Sequence, residues 1–437
     1  MRRYSSYKDS GVEWIGEIPN EWSVKRMSYL FRPTSVKNTE GEINLSVYRD
    51  YGVIPRDSRD DNHNVVSEDI SNYKLVEIGD FVLNKMKCWM GSLGLSEYRG
   101  IVSPSYTVMK PLTNDNSKFL HYLLRSPFYI PQYRRLSYGV RIGQWDLRFE
   151  DFRDLSCILP SKSEQEQIVS YLDRKTEGID KLIQTKVRKI ELLKDYRTSL
   201  ISKVVTKGLN PNVEMKDSGV EWIGEIPKGW GVKRLKNVSD IKPSNVDKHI
   251  FSDEIQVRLC NYTDVYYNDF ISESTELKFG SCNRMEFEKF RLEKGDVIIT
   301  KDSESPDDIG IPCLVKDDFE DVVCGYHLTL IRPQTMDGGF VFRFIQSDRT
   351  RRYFEIHSNG ITRHGLGKSS IENLFLPFPP LSEQEQIVSY LDEQTQLIDK
   401  KIQTEERKIE LLKEFRQSLI SEVVTGKIKV CNDEEVH

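Results

Sequence analysis

The sequence lacks most of what marks a membrane, secreted or metal-binding chain. No apolar run approaches the ~20 residues a membrane helix needs, and Met1-Arg2-Arg3-Tyr4 has no apolar core of a secretory signal. A cytoplasmic location with no membrane partner is the expectation. The 437 residues hold only seven cysteines, an odd number with no C-x-x-C pair, which argues against a zinc site, a redox couple and a disulfide framework. Charge of one sign is missing too. The 63 Lys and Arg against 68 Asp and Glu leave a net charge of -5, which excludes a uniformly basic nucleic-acid coat but leaves room for local basic patches.

Catalytic signatures are equally scarce. There is no G-x-G-x-x-G after a strand, no H-E-x-x-H and no G-x-S-x-G. Thr362 to Ser369 reads T-R-H-G-L-G-K-S, in which Thr stands where a phosphate-binding loop needs Gly. Pro306-Asp307 opens like a nuclease site, yet no [DE]-x-Lys follows in the next two dozen residues. The expectation is a noncatalytic chain with no metal and no cofactor of its own.

What the chain does have is a tandem duplication. Lys8 to Met27 and Lys216 to Leu235 agree at 16 of 20 positions, and Ser163 to Val205 and Ser382 to Val424 agree at 32 of 43. Between these blocks lie two unlike inserts, 28–162 and 236–381. A frame kept twice around diverged inserts suggests one job done twice by the frame and two different jobs by the inserts.

The later blocks read as helices. Apolar residues recur as Ile168, Leu172, Ile179, Ile183, Ile190, Leu193, Leu200 and Val204, and as Ile387, Leu391, Ile398, Ile402, Ile409, Leu412, Leu419 and Val423. Steps of three, four and seven place each set on one face, with mainly charged residues behind. Ser163 with Glu166, and Ser382 with Glu385, fit an N-terminal capping box. Some 43 residues at ~1.5 Å rise make a rod of ~65 Å, and two such seams most simply pair as an antiparallel coiled coil. Ile179, Ile183, Ile190, Leu193, Leu200, Ile398, Ile402, Ile409, Leu412 and Leu419 are the expected helix-helix seam. Core helices in a bundle are the alternative reading. Gly178, opposite Leu397 in the repeat, is a weak point.

Each insert begins a buried strand after a Gly-Asp turn, at Gly79-Asp80 and Gly295-Asp296, and carries a short helix near Lys118 to Leu124 or Phe340 to Ile345. Near its end each is rich in cations, aromatics and glycine. Candidate DNA-facing residues are Arg134, Arg135, Tyr138, Arg141 and Gln144 in the first, and Arg351, Arg352, Thr362, Arg363, His364 and Lys368 in the second. Arg and Lys neutralise phosphates or reach guanine edges, Gln and Asn read adenine, and Gly lets the backbone approach closely. A merely solvated basic face is the alternative. Trp14, Trp22, Trp222 and Trp230, in the repeated W-I-G-x-I-P-x-x-W segment, read as core anchors.

The order of variable domain, S-E-Q-E-Q-I-V-S-Y-L-D helix at 163–173, second variable domain and repeated S-E-Q-E-Q-I-V-S-Y-L-D helix at 382–392 resembles the specificity subunit of type I restriction-modification systems. The first helix lacks the Pro-Pro-Leu approach that the second has at 379–381. The resemblance implies an α+β architecture: two small mixed α/β target recognition domains, separated by two long antiparallel helices forming a coiled coil, as a pseudo-twofold tandem duplication. The domains run 1–162 and 207–381, the spacer helices 163–206 and 382–425, and a tail 426–437. The implied function is noncatalytic recognition of a bipartite, asymmetric sequence in double-stranded DNA. The implied partners are two modification (methyltransferase) subunits and restriction (translocase/nuclease) subunits. S-adenosylmethionine, ATP and Mg belong to those partners. A methyltransferase-only system and a non-DNA-binding coiled-coil scaffold are the alternatives.

Overall fold

The computed structural model describes residues 3–37, 41–49, 51–59, 69–139 and 145–430. The chain divides into two compact units, residues 1–186 with 407–437, and residues 187–406. The duplication dictates that both are built on one plan.

In the first unit, the strands Phe31–Thr34, Tyr106–Pro111, Phe81–Asn84 and Leu93–Leu95 lie side by side in that order, all antiparallel. In the second, Ser239–Pro243, Leu328–Pro333, Val297–Thr300 and Pro312–Val315 repeat the same order and sense. The sheet cores follow from sequence: Phe81, Val82 and Leu83, like Val297, Ile298 and Ile299, are apolar on both faces and fully buried. Gly79 and Gly295 adopt left-handed φ of 95° and 88° at the preceding turns, where the buried Asp80 and Asp296 carboxylates accept the backbone N–H of Glu77 and Glu293. The second unit adds a three-stranded sheet, Lys278–Cys282, Ile255–Cys260 and Val322–Cys324, with a core of its own.

The frame closes each unit. Ser23–Arg26 pairs with Ser156–Leu159, and Gly231–Arg234 with Phe375–Phe378, so the strand that follows the W-I-G-x-I-P-x-x-W segment and the approach to the long helix form one ribbon. Trp22 and Trp230 are buried core anchors, while Trp14 and Trp222 pack at the core edge.

The long helices run Lys162–Lys207 and Leu381–Val424. The first therefore starts before Ser163, and the expected capping box does not form. Ser161 Oγ accepts the Glu164 N–H at 3.3 Å instead, and the second helix starts behind Pro380 with no hydroxyl cap in evidence. The repeated acid two residues before the expected capping acid is engaged with the core: Glu164 accepts the Trp22 indole N–H at 3.1 Å and the Tyr4 hydroxyl at 2.6 Å, and Glu383 accepts the Trp230 indole at 2.8 Å. Next to them, the buried Gln165 and Gln384 accept the Asn116 and Asp337 N–H, clipping the start of the short helices Ser117–Leu124 and Gly338–Ile345. Two residues later in register, a hydroxyl cap at Ser163 would have to compete with these tertiary bonds.

Within the first unit, Ile168, Leu172 and Ile179 share a core with Leu419 and Val423, with Ile183 and Leu412 packed against it. Within the second, Ile201, Val204 and Val205 share a core with Ile387 and Leu391, with Leu200 alongside. The pairing there is antiparallel, since Lys189 meets Glu405 while Arg197 meets Asp399. Of the expected seam, Ile179, Ile190, Ile398, Ile402 and Leu419 are buried and Ile183, Leu193, Leu200, Ile409 and Leu412 half-buried. The backs of the helices depart from the expected charged surface. Leu192 and Tyr196, 52% and 56% exposed, and their copies Leu411 and Phe415, 47% and 50%, face outward. No helix among the described residues is long and apolar enough to cross a membrane.

Candidate nucleic-acid interface

In each unit a segment near the end of the insert leans on the strand that follows the Gly-Asp turn. In the first, Lys85 receives the Leu147 N–H on its carbonyl at 3.0 Å and donates its own N–H to Ser105 at 3.1 Å. In the second, Lys301 does the same with Leu366 at 2.7 Å and His327 at 2.9 Å. The backbone scaffold is thus shared, and the side chains on it differ.

In the first unit the helix Ile130–Leu136 carries Arg134 and Arg135, both exposed. The Arg134 guanidinium lies 5.7 Å from the centre of the Trp145 ring, which meets Trp89 edge-on at 5.3 Å. Arg135 Nε donates to Gln132 at 3.0 Å. Tyr138, half exposed, exchanges backbone hydrogen bonds with Asp146, and Arg148 covers its ring at 5.1 Å. Arg141 and Gln144 lie outside the described residues. The cation and aromatic content needed to hold a phosphate chain and stack on bases is present on this surface.

In the second unit the expected residues divide between two places. Arg351 and Arg352 are on the helix Asp348–His357, where Arg351 Nε donates to the Asp307 carbonyl at 3.1 Å and Arg352 pairs with Asp348 at 3.1 Å. Both line an open cavity of about 810 Å³ together with Asp195, Glu221 and Trp222. Thr362, Arg363 and His364 are on the hairpin in which Ser358–Asn359 pairs with His364–Leu366, itself paired with Asp302–Ser303. Lys368 opens the next helix and pairs with Glu372 at 3.4 Å.

The hairpin brings in residues that the sequence had not singled out. Asp302 accepts from Arg363 Nη2 at 2.7 Å and contacts His327 Nδ1 at 2.6 Å. Tyr326 lies against the His327 ring at 4.0 Å, and Lys301 Nζ sits 4.6 Å from the Tyr326 ring while donating to the Ser244 carbonyl. Burial pulls the Lys301 ammonium below its ordinary range, against the Asp302 charge, and pushes the nearby Tyr262 hydroxyl up. Asp302 and His327 are 25 residues apart, so no local pattern could have joined them; the repeated Gly-Asp strand ending at Lys85 and Lys301 was the usable signal. Among the described residues no group of three or more His, Cys, Asp or Glu is placed to hold a metal ion.

A sequence profile described as the type I restriction modification DNA specificity domain matches residues 19–192 and 227–414. A putative type I restriction enzyme MjaX specificity subunit from Methanocaldococcus jannaschii is 24% identical over 444 residues, spanning 95% of this chain and 96% of that protein. Among solved structures, a chain from work on complex assembly and conformational transition of the type I R-M system superposes with a TM-score of 0.68 at 15% identity, covering 94% of this chain and 99% of that one. The HsdS subunit from Thermoanaerobacter tengcongensis gives 0.51 at 16% identity, covering 94% and 98%. At these identities the structural likeness is one of fold.

Proposed function

We infer, from the premise that this chain belongs to the family of type I restriction-modification specificity subunits, that it reads a bipartite, asymmetric sequence in double-stranded DNA, one half through each insert. Subunits of this family are noncatalytic, and the chain carries two recognition domains in tandem. The observation that supports the reading is the shared main-chain anchoring at Lys85 and Lys301 beside unlike side chains: one construction used twice with two chemistries suits two different half-sites. Arg134, Arg135, Arg351 and Arg352 are assigned to phosphates, and Tyr138, Arg141, Gln144, Thr362, Arg363, His364 and Lys368 to the loops facing the bases. The long helices, spanning 46 and 44 residues, set the gap between the half-sites. S-adenosylmethionine, ATP and Mg belong to the modification and restriction subunits with which it assembles.

Two modification subunits are assigned to the duplicated apolar pairs Leu192/Tyr196 and Leu411/Phe415. Each pair is spaced by four residues on one helix face, and a surface present in two copies fits a partner present in two copies.

Methylome sequencing of cells carrying the chain with its modification subunit tests the reading. A single motif of two short halves with a fixed internal gap is expected, and exchange of residues 236–381 for another family member's domain alters one half alone. Methylation without a motif, or a change in both halves, overturns it.

A further inference from the structure

We propose that Arg363 reads a guanine in the half-site faced by the second unit, positioned for it by Asp302 and His327. The proposal rests on the DNA-reading function above and adds the base and the mechanism.

The hairpin that carries Arg363 is tightly closed. Gly360 has φ of 144°, and a Cβ there would stand 1.9 Å from the Arg363 carbonyl oxygen, so only glycine permits the turn that presents this arginine. The Arg363 side chain is 58% exposed, whereas Asp302 beneath it is 16% exposed. The guanidinium contacts Asp302 at 2.7 Å and His327 Nδ1 at 3.3 Å, both through Nη2. Its remaining N–H groups are left to donate. His327 is the one non-glycine residue among those described with a left-handed backbone, at φ of 71°, and its carbonyl is tied to the Lys301 N–H. Backbone strain retained where a side chain meets a functional cluster points to a constraint other than stability.

The carboxylate decides which DNA group Arg363 meets. An arginine that serves a phosphate works through its net charge, and a carboxylate 2.7 Å away cancels much of that charge. A base edge carries no net charge, so recognition there needs only directed donors held in one orientation. Guanine offers two acceptors, O6 and N7, on the major-groove edge, which match the arginine fork. Adenine offers a donor beside N7 and would oppose it. Arg351 donates to a backbone carbonyl, and the carboxylate beside Arg352, Asp348, is 43% exposed and screened by water, whereas Asp302 is 16% exposed.

The first unit supplies the contrast. Matching Lys85 to Lys301, Ser105 to His327 and Leu147 to Leu366 by their common backbone bonds puts Met86 at the place of Asp302. Counting back three residues from the paired leucines puts Gln144 at the sequence place of Arg363. At those matched places the first unit has Met86 for the carboxylate and, by sequence, Gln144 for the arginine, so the two half-sites are offered different side chains.

The test uses the full chain assembled with its modification subunits, after the 236–381 exchange has identified the half-site. Arg363→Lys keeps the charge and removes the fork; Asp302→Asn keeps the shape and removes the held orientation. Both are expected to lower modification at least tenfold at one G·C pair of that half-site, or to relax that pair, while the other half stays strictly required. Replacing the guanine of that pair by 7-deazaguanine in a synthetic duplex is expected to weaken binding of the unaltered complex about tenfold, and binding of the Arg363→Lys complex hardly at all. A small loss spread evenly over all positions of both halves, with the salt dependence unchanged in Arg363→Lys, would mark Arg363 as a phosphate contact and overturn the proposal, as would an unchanged motif in Arg363→Lys. Absence of any motif in the unaltered complex would instead remove the DNA-reading function itself. The retained half-site requirement reports that the variants are folded.

Discussion

Arg416 Nε lies 3.0 Å from Asp180 Oδ1, and the repeat copies of these two residues, Arg197 and Asp399, meet at 3.1 Å. The same inter-helix contact is therefore made once in each unit, by residues spaced 219 apart in the chain. The copies differ in their surroundings. Arg197 also pairs with Asp269 at 2.5 Å and is 20% exposed, whereas Arg416 is 33% exposed. Arg197→Ala leaves two carboxylates without their cation and is expected to cost about 2 kcal/mol, in the range of hydrogen bonds to charged groups. Arg416→Ala, at a half-exposed pair, is expected to cost about 1 kcal/mol or less. Urea denaturation of both variants checks the order; an equal or inverted ranking would show that Asp269 adds nothing.

The outward apolar pairs on the helix backs predict a stoichiometry. Leu192→Glu with Tyr196→Glu removes one docking face, and the matching double change at Leu411 and Phe415 removes the other. Either double variant is expected to bind one modification subunit in place of two by native mass spectrometry, and the fourfold variant none. Full occupancy in the fourfold variant would place the docking faces elsewhere. Because the altered residues are about half exposed, their change leaves the seam intact.

His121 predicts a loss of stability on acidification. Its Nδ1 accepts the Leu95 N–H at 3.1 Å, the Arg125 guanidinium lies beside the other ring nitrogen, and burial followed by the charges of Arg125, Lys118 and Arg416 pushes its pKa down to about 3. A base whose pKa falls on folding binds fewer protons folded than unfolded. Its contribution is therefore complete above the ordinary value of about 6.5 and declines as pH drops from there towards 3, reaching a loss on the order of 1–2 kcal/mol by pH 5. His121→Gln keeps an acceptor and cannot titrate, so its denaturation midpoint is expected to vary less between pH 7 and 5. Parallel curves for the two proteins would assign the acid sensitivity to other groups.

Much of the frame was legible because it is periodic or repeated. The seam at Ile179, Ile398 and Leu419 follows from spacing alone, and the strands after Gly79-Asp80 and Gly295-Asp296 from a turn followed by an apolar run. The capping box was not legible correctly. Ser163 and Glu166 satisfy the local pattern, but the indole of Trp22 and the backbone of Asn116, both distant in sequence, recruit Glu164 and Gln165 and fix the helix start. The candidate interface shows the same division. Arg363 stood out by composition, whereas Asp302 and His327 reach it only through strand pairing, and Arg351 and Arg352 fall on a separate helix face although they are close in sequence.

The main-chain bonds at Lys85 and Lys301 have a consequence for how such a protein acquires new targets. Since these anchoring bonds are made by peptide groups, side chains beside them, Gly360 at the tight turn excepted, can be exchanged without losing the anchor. A shift in preference then needs a few point substitutions rather than the replacement of a whole domain. A chain that carries the loop twice can alter one half of its vocabulary while the other stays fixed.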